Sequence, residues 1–312
     1  MPILRLNAGP GGLTLNGSPA PAVPALRRAA LGTGPVMILI HGFKYDPNHA
    51  ACSPHTTIFG QGARCARPTH VSWLQPLGFG TGAQDEGLAI AFGWRARGGL
   101  WQAQRSAQAA GGHLADVITL LRAAHPARPV HVITHSMGSE VMFEALPALR
   151  AGDVGRIIAL SGASYASRAM TAMHSPAGRA AELFNVTSRE NDLFDFMFER
   201  LIVPPVPGDW AMGVGLDLPN AVTLQLDCAR SLEVLPRFGG HVGAPARRVC
   251  HWSSYTRPGA LPFYARALRM PRAVPLSPLR AALPDVVAPR WSRMFARPAL
   301  RLALPMGQKA AS

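Results

Sequence analysis

Short, unbroken apolar runs recur along this chain, separated by longer stretches of mixed character. Val36-Met37-Ile38-Leu39-Ile40 is apolar at every position and stops at His41-Gly42. A strand with one wet face alternates apolar and polar residues, so a continuous run fits a strand buried on both faces of a parallel sheet. Leu88 to Trp94, Val130 to Ile133, Arg156 to Leu160, Leu183 to Thr187 and Val222 to Leu226 read as further strands, and Ile3 to Leu6 and Leu13 to Leu15 as short strand-like pieces. Between them, residues 101–124 carry Ala, Leu and Ile at helical spacing up to Ala124-His125-Pro126, a helix stop. A second helix is expected from the Ser136 region to about Leu149, and a closing one over Pro262 to Met270.

Strands that alternate with helices predict βαβ units: an α/β fold with a mostly parallel central sheet flanked by helices. The expected organisation is a single domain over residues 1–270, with aperiodic excursions at 44–87 and 196–221. From 271 to 312 the chain is a Pro-, Arg- and Ala-rich C-terminal tail, expected to be irregular.

Composition changes this picture little. An apolar fraction of 48% over 312 residues supports one sizeable core. The formal net charge is +14, and only Lys44 and Lys309 are lysines, so the excess is arginine. The arginines are scattered, and no compact basic run interleaved with aromatics offers a surface for stacking bases. No nucleic-acid partner is expected, although the basic surface leaves room for peripheral contact with an anionic membrane. No apolar run approaches the length of a spanning helix, and the N-terminus lacks the basic and apolar segments of a signal peptide. The expectation is therefore a cytoplasmic protein with reduced thiols. Cys52 and Cys65 could be bridged only in an oxidising compartment, and Cys52, Cys65, Cys228 and Cys250 show no zinc-ligand spacing.

The most informative segment is Ile133-Thr134-His135-Ser136-Met137-Gly138-Ser139. A strand, a tight turn with serine at its centre and a following helix describe a nucleophile elbow. Such a turn strains the serine backbone and demands small residues two positions away on either side. Gly138 meets that demand, whereas Thr134 stands where the Gly-x-Ser-x-Gly pattern has its first glycine. The Met137 N–H, at the start of the helix, is one candidate donor to an oxyanion. The second is the Phe43 N–H, in the Ile40-His41-Gly42-Phe43 turn that ends the first buried strand. His41 is expected to support this loop by hydrogen bonding, and His135 to pack beside the elbow. Gly78-Phe79-Gly80-Thr81-Gly82 follows no strand and is not a phosphate loop.

An apolar strand ending in His-Gly-Phe, followed by strand, Thr-His-Ser-Met-Gly and helix, resembles the α/β-hydrolase superfamily, and within it esterase- and lipase-like serine hydrolases. The resemblance covers about residues 36–270. It implies a Ser-His-Asp triad in the chain order serine, acid, histidine, with the acid in the turn after the second strand beyond the elbow. That turn is Ser188-Arg189-Glu190-Asn191-Asp192, which makes Asp192 the favoured acid, with Glu190 and Asp195 as substitutes. The favoured base is His251, which precedes aromatics and the closing helix; His241, in a glycine-rich loop, is the alternative. A small-molecule acyl ester is the expected substrate, and no metal or organic cofactor is called for.

The two excursions are expected to roof the pocket, with Met197, Phe198, Trp210 and Met212 lining it. A carboxylic-ester hydrolase working through an acyl-enzyme is the leading expectation. The same residues would equally serve a thioesterase, lipase or acyltransferase. A catalytically silent fold used as a binding module is the alternative from another class.

Overall fold

In a computed structural model, residues 3–18, 20–61, 71–285 and 287–295 are described. Among the described residues, eight strands form one sheet in the order β2-β1-β4-β3-β5-β6-β7-β8. They are β1 (Ile3–Gly9), β2 (Gly12–Leu15), β3 (Val36–Ile40), β4 (Leu88–Trp94), β5 (Val130–His135), β6 (Arg156–Leu160), β7 (Glu182–Thr187) and β8 (Ala221–Gln225). All neighbouring pairs are parallel except the β1–β2 hairpin at one edge. The expected α/β architecture is what the chain adopts.

Pleating explains why the strands are continuously apolar. Val36, Ile38 and Ile40 point into one core, while Met37 and Leu39 point into the other. The first core is covered by α1 (Val23–Ala30), α2 (Leu100–Ala124) and α3 (Gly138–Ala145), together with α4 (Ala166–Met173) and α5 (Pro176–Ala180). α6 (Asp192–Leu201) follows β7 in the chain, and α7 (Ala229–Val234) follows β8. α8 (Ser253–Thr256), α9 (Ala260–Arg269) and α10 (Leu276–Ala282) follow, and α8 to α10 contribute to the second core. α10 corrects the expectation of an irregular chain from residue 271: Leu279 is fully buried in that core. Among the described residues, no helix is long and apolar enough to cross a membrane.

The 44–87 excursion also differs from expectation. Where a βαβ unit would carry a helix, its described part sends Ile58, Phe59, Trp73, Leu77 and Phe79 into the second core. Arg269 at the end of α9 pins it, donating to the carbonyls of Leu77 and Glu86 at 2.9 Å each and lying over the Phe79 ring. The glycine-rich segment inside it wraps a carboxylate rather than a phosphate. Glu86 accepts from the Thr81 hydroxyl at 2.6 Å and from the Gly80 N–H at 2.9 Å. The Thr81 hydrogen bond, with help from backbone N–H groups, holds its pKa down at about 2 against the opposing effect of burial. Cys65 lies outside the described residues.

The strand order reverses around β3. The chain steps from β3 to β4 on one side, then crosses back to β5 on the other. In open α/β sheets, the carboxyl ends of strands at such a switch point frame the ligand crevice. The register pairs Ile40 with Thr134, which sets the loop after β3 directly beside the turn after β5.

Candidate active site

Ser136 occupies the left-handed region at φ 54°. A non-glycine residue there costs about 1–2 kcal/mol, so the surroundings must hold it. Its N–H donates to the Leu160 carbonyl, and its own carbonyl accepts from the Ser139 and Ala163 N–H groups, all at 3.0 Å. Two glycines allow the turn to close. A Cβ on Gly42 would stand 2.6 Å from the Ser136 Cβ, and one on Gly138 would stand 2.7 Å from the His41 carbonyl oxygen. Thr134 fits the place usually given to glycine because its buried hydroxyl shares a 2.9 Å hydrogen bond with that of Ser139.

The loop after β3 is equally held. The fully buried His41 ring stacks on Trp94, with centroids 5.4 Å apart and planes within 7°. Its Nδ1–H donates to the Gly42 carbonyl at 2.9 Å, and its Nε2 accepts from the Trp94 N–H at 3.1 Å. Burial pushes the His41 pKa down to about 3, which keeps the ring neutral and able to play both parts. Among the described residues, neither the Phe43 nor the Met137 N–H donates to a protein acceptor. Both residues border the cavity that Ser136 faces.

That cavity measures about 430 Å³. Its apolar wall includes Leu100, Phe194, Met197, Phe198, Leu201 and Trp252, and Lys44, His135, Asp195 and His251 also reach it. Met197 and Phe198 line it as expected, whereas Met212 is buried beneath Gly162 and Trp210 borders a different cleft. Among the described residues of the 44–87 excursion, only Lys44 and Tyr45 contribute.

His251 shares the cavity with Ser136. The ring stacks on Phe194, with centroids 4.7 Å apart, and meets the His135 ring at a tilt, at 4.6 Å. Burial, with help from the nearby His135 and Lys44, holds its pKa well below the ordinary histidine value. Among the described residues, no hydrogen bond joins it to the Ser136 hydroxyl; contacts between a base and a nucleophile commonly tighten only when substrate is bound. His241 is exposed and stands outside the cavity wall. His135 turns its Nε2 to the His251 carbonyl at 3.2 Å and meets Tyr255 edge-on, so it packs beside the elbow.

The acid is where the structure departs from expectation. Asp192 does not meet His251: its carboxylate accepts from Arg189 at 3.0 Å and from the Trp291 N–H at 2.6 Å. Glu190 is also occupied, paired with Arg257 at 2.5 Å. The partner of the His251 Nδ1 is Asn191, whose Oδ1 lies 2.6 Å away. The Asn191 amide nitrogen in turn donates to Asp195 at 2.9 Å. Asn191 thus stands in the position expected for a carboxylate, and one clue to it lay in the sequence. Asn191 and Asp195 are four residues apart at the start of α6, a spacing that puts two side chains on one helix face.

The switch-point crevice, the strained serine turn and the strand order give this chain the α/β-hydrolase fold. A family model described as "Alpha/beta hydrolase of unknown function (DUF900)" matches residues 28–162, from α1 to the end of β6. The matched segment contains the Phe43 loop and the Ser136 turn and ends before the loops of Asn191 and His251. No curated protein matches the chain.

Proposed function

We propose that this protein is a serine hydrolase that cleaves a carboxylic ester, with Ser136 as nucleophile and His251 as base. The observation that carries the reading is Ser136 itself: a left-handed serine between β5 and α3, closed against the β3 loop through Gly42 and Gly138. A strain of this kind persists only where its surroundings over-determine it.

In the proposed cycle, His251 Nε2 takes the Ser136 hydroxyl proton while the serine oxygen attacks the acyl carbon. The Phe43 and Met137 N–H groups receive the developing oxyanion, and each such donor is worth about 3 kcal/mol to the transition state. The imidazolium then protonates the leaving alcohol. Water, activated by the same ring, releases the acid and regenerates Ser136. For Nε2 to act as the base, Nδ1 must carry the ring proton, and the Asn191 Oδ1 at 2.6 Å is an acceptor for it. The apolar wall suits a modest hydrocarbon group on the acyl or alcohol side.

Fluorophosphonate labelling of wild type and Ser136→Ala, with p-nitrophenol release from short acyl esters, tests the reading. Labelling and turnover that both vanish in the alanine variant are expected. A folded wild type that neither labels nor turns over any ester would leave a silent binding module.

A further inference from the structure

An amide in the acid position of a hydrolase is a handicap. Replacing the aspartate of a Ser-His-Asp triad by asparagine lowers kcat about 10⁴-fold, because the amide NH₂ faces the ring and stabilises the wrong tautomer. Here the amide faces the other way. Its oxygen is turned to His251 Nδ1 at 2.6 Å and its nitrogen to Asp195 Oδ1 at 2.9 Å. A carboxylate accepts hydrogen bonds and donates none, so an ionised Asp195 admits only this orientation of Asn191.

We propose that Asp195 is a positioning residue for the reaction: by holding the Asn191 amide nitrogen, it keeps the Asn191 oxygen on His251 and so holds the ring in the Nδ1–H tautomer that the base requires. The inference rests on His251 acting as the base. It also accounts for a buried carboxylate that the proposed cycle does not otherwise use. Asp195 is 2% exposed and lies one amide away from the imidazole. A negative charge in that place compensates the imidazolium that an amide alone leaves unpaired.

Protonated Asp195 loses this control. A carboxylic acid can donate to the Asn191 oxygen, which frees the amide to turn its NH₂ toward His251 and move the ring proton to Nε2. Burial, reinforced by the neighbouring Asp192, pushes the Asp195 pKa up to about 7, against the opposing charges of Arg290 and Arg189. Those four groups come from α6, the turn before it and the C-terminal segment. Met212 to Val214, which packs on the other side against Asp195 Oδ2, brings no charge. An acid limb near pH 7 follows, set by Asp195 rather than by the depressed His251.

The test compares wild type, Asp195→Asn and the exchange Asn191→Asp with Asp195→Asn, through kcat, KM, melting temperature and the ¹⁵N spectrum of the histidine ring. Asp195→Asn is expected to lower kcat about 100-fold or more with little change in KM, and to melt no lower than wild type at pH 8. The exchanged pair, which puts a carboxylate directly on Nδ1, should recover kcat to within about 10-fold of wild type and lose the limb near pH 7. A folded Asp195→Asn with wild-type kcat and pH profile overturns the proposal, as does an exchanged pair no better than the single variant. The wild-type spectrum decides independently of turnover: His251 in the Nδ1–H form at pH 8 supports the inference, and in the Nε2–H form refutes it. A wild type inert toward all esters would sink the hydrolase reading while leaving that spectral result intact.

Discussion

The serine side and the histidine side of this cavity are built on different principles. Around Ser136 the structure is held by backbone and close packing: a parallel register that pairs Ile40 with Thr134, two glycines in van der Waals contact with opposing chain, and a His41–Trp94 stack behind the loop. Around His251 it is held by side-chain polar contacts between separate loops. Asn191 follows β7, His251 comes from the chain after β8, and Asp192 is met by Trp291 from beyond α10. Packing of backbone against backbone tolerates almost no change of residue, whereas a polar network can be served by several arrangements of the same residue types. The matched family model takes in the first side and stops before the second.

The sharpest way to break this comparison is Gly42→Ala. Its methyl group would fall 2.6 Å from the Ser136 Cβ and 2.9 Å from the His135 carbonyl oxygen, so the β3 loop must move away from the elbow. Losing the alignment of one oxyanion donor costs about 10²- to 10³-fold in kcat, and that loss is expected in a protein that still folds. Ester kinetics with a melting curve would check it; near-wild-type kcat would mean that the β3 loop is not part of the site.

Asp192→Asn probes the other side, with a smaller and different effect. The carboxylate receives Arg189 and the Trp291 N–H. Removing its charge weakens a buried ion pair and is expected to cost about 1–3 kcal/mol of stability, read as a lower denaturant midpoint. kcat should stay within about 10-fold of wild type, whereas direct participation on His251 would cost far more. Opposite outcomes for Asp192→Asn and Asp195→Asn would separate the two carboxylates by role.

The smallest effect belongs to Lys44→Ala. Its positive charge contributes to depressing the His251 pKa. An NMR titration should show the His251 ring protonating at a slightly higher pH in the variant, since a removed cation no longer opposes the imidazolium. A shift in the opposite direction would mean that Lys44 acts on the ring through structure rather than charge.

The serine side was also the legible side. Runs dominated by apolar residues located the main parallel strands, since a strand buried on both faces leaves few places for a polar side chain. Small residues around Ser136 marked the elbow turn, and aromatic surroundings singled out His251, which lines the same cavity as Ser136. The acid did not. Glu190, Asn191, Asp192 and Asp195 crowd one turn, and successive residues there point about 100° apart, so composition alone does not say which one faces the histidine. What decides it is long-range: Arg257 takes Glu190, and Arg189 with the Trp291 N–H takes Asp192, the latter contact spanning 99 positions of chain. The 44–87 excursion escaped periodicity for a related reason. Isolated turns deliver its aromatics to the core singly, and no repeat length describes them.

The chain beyond α10 has a use that its composition conceals. Arg290 pairs with Glu199 on α6, the Trp291 N–H caps Asp192, and Arg293 donates to the carbonyls of Pro245 and Arg247 on the approach to His251. A stretch of fewer than ten residues therefore laces together the two loops that meet as Asn191 and His251. For anyone engineering this molecule, that makes residues 287–295 a remote adjusting screw. Fusions, nicks or substitutions there, far along the chain from Ser136, would be felt in the alignment of the histidine before they were felt in the fold.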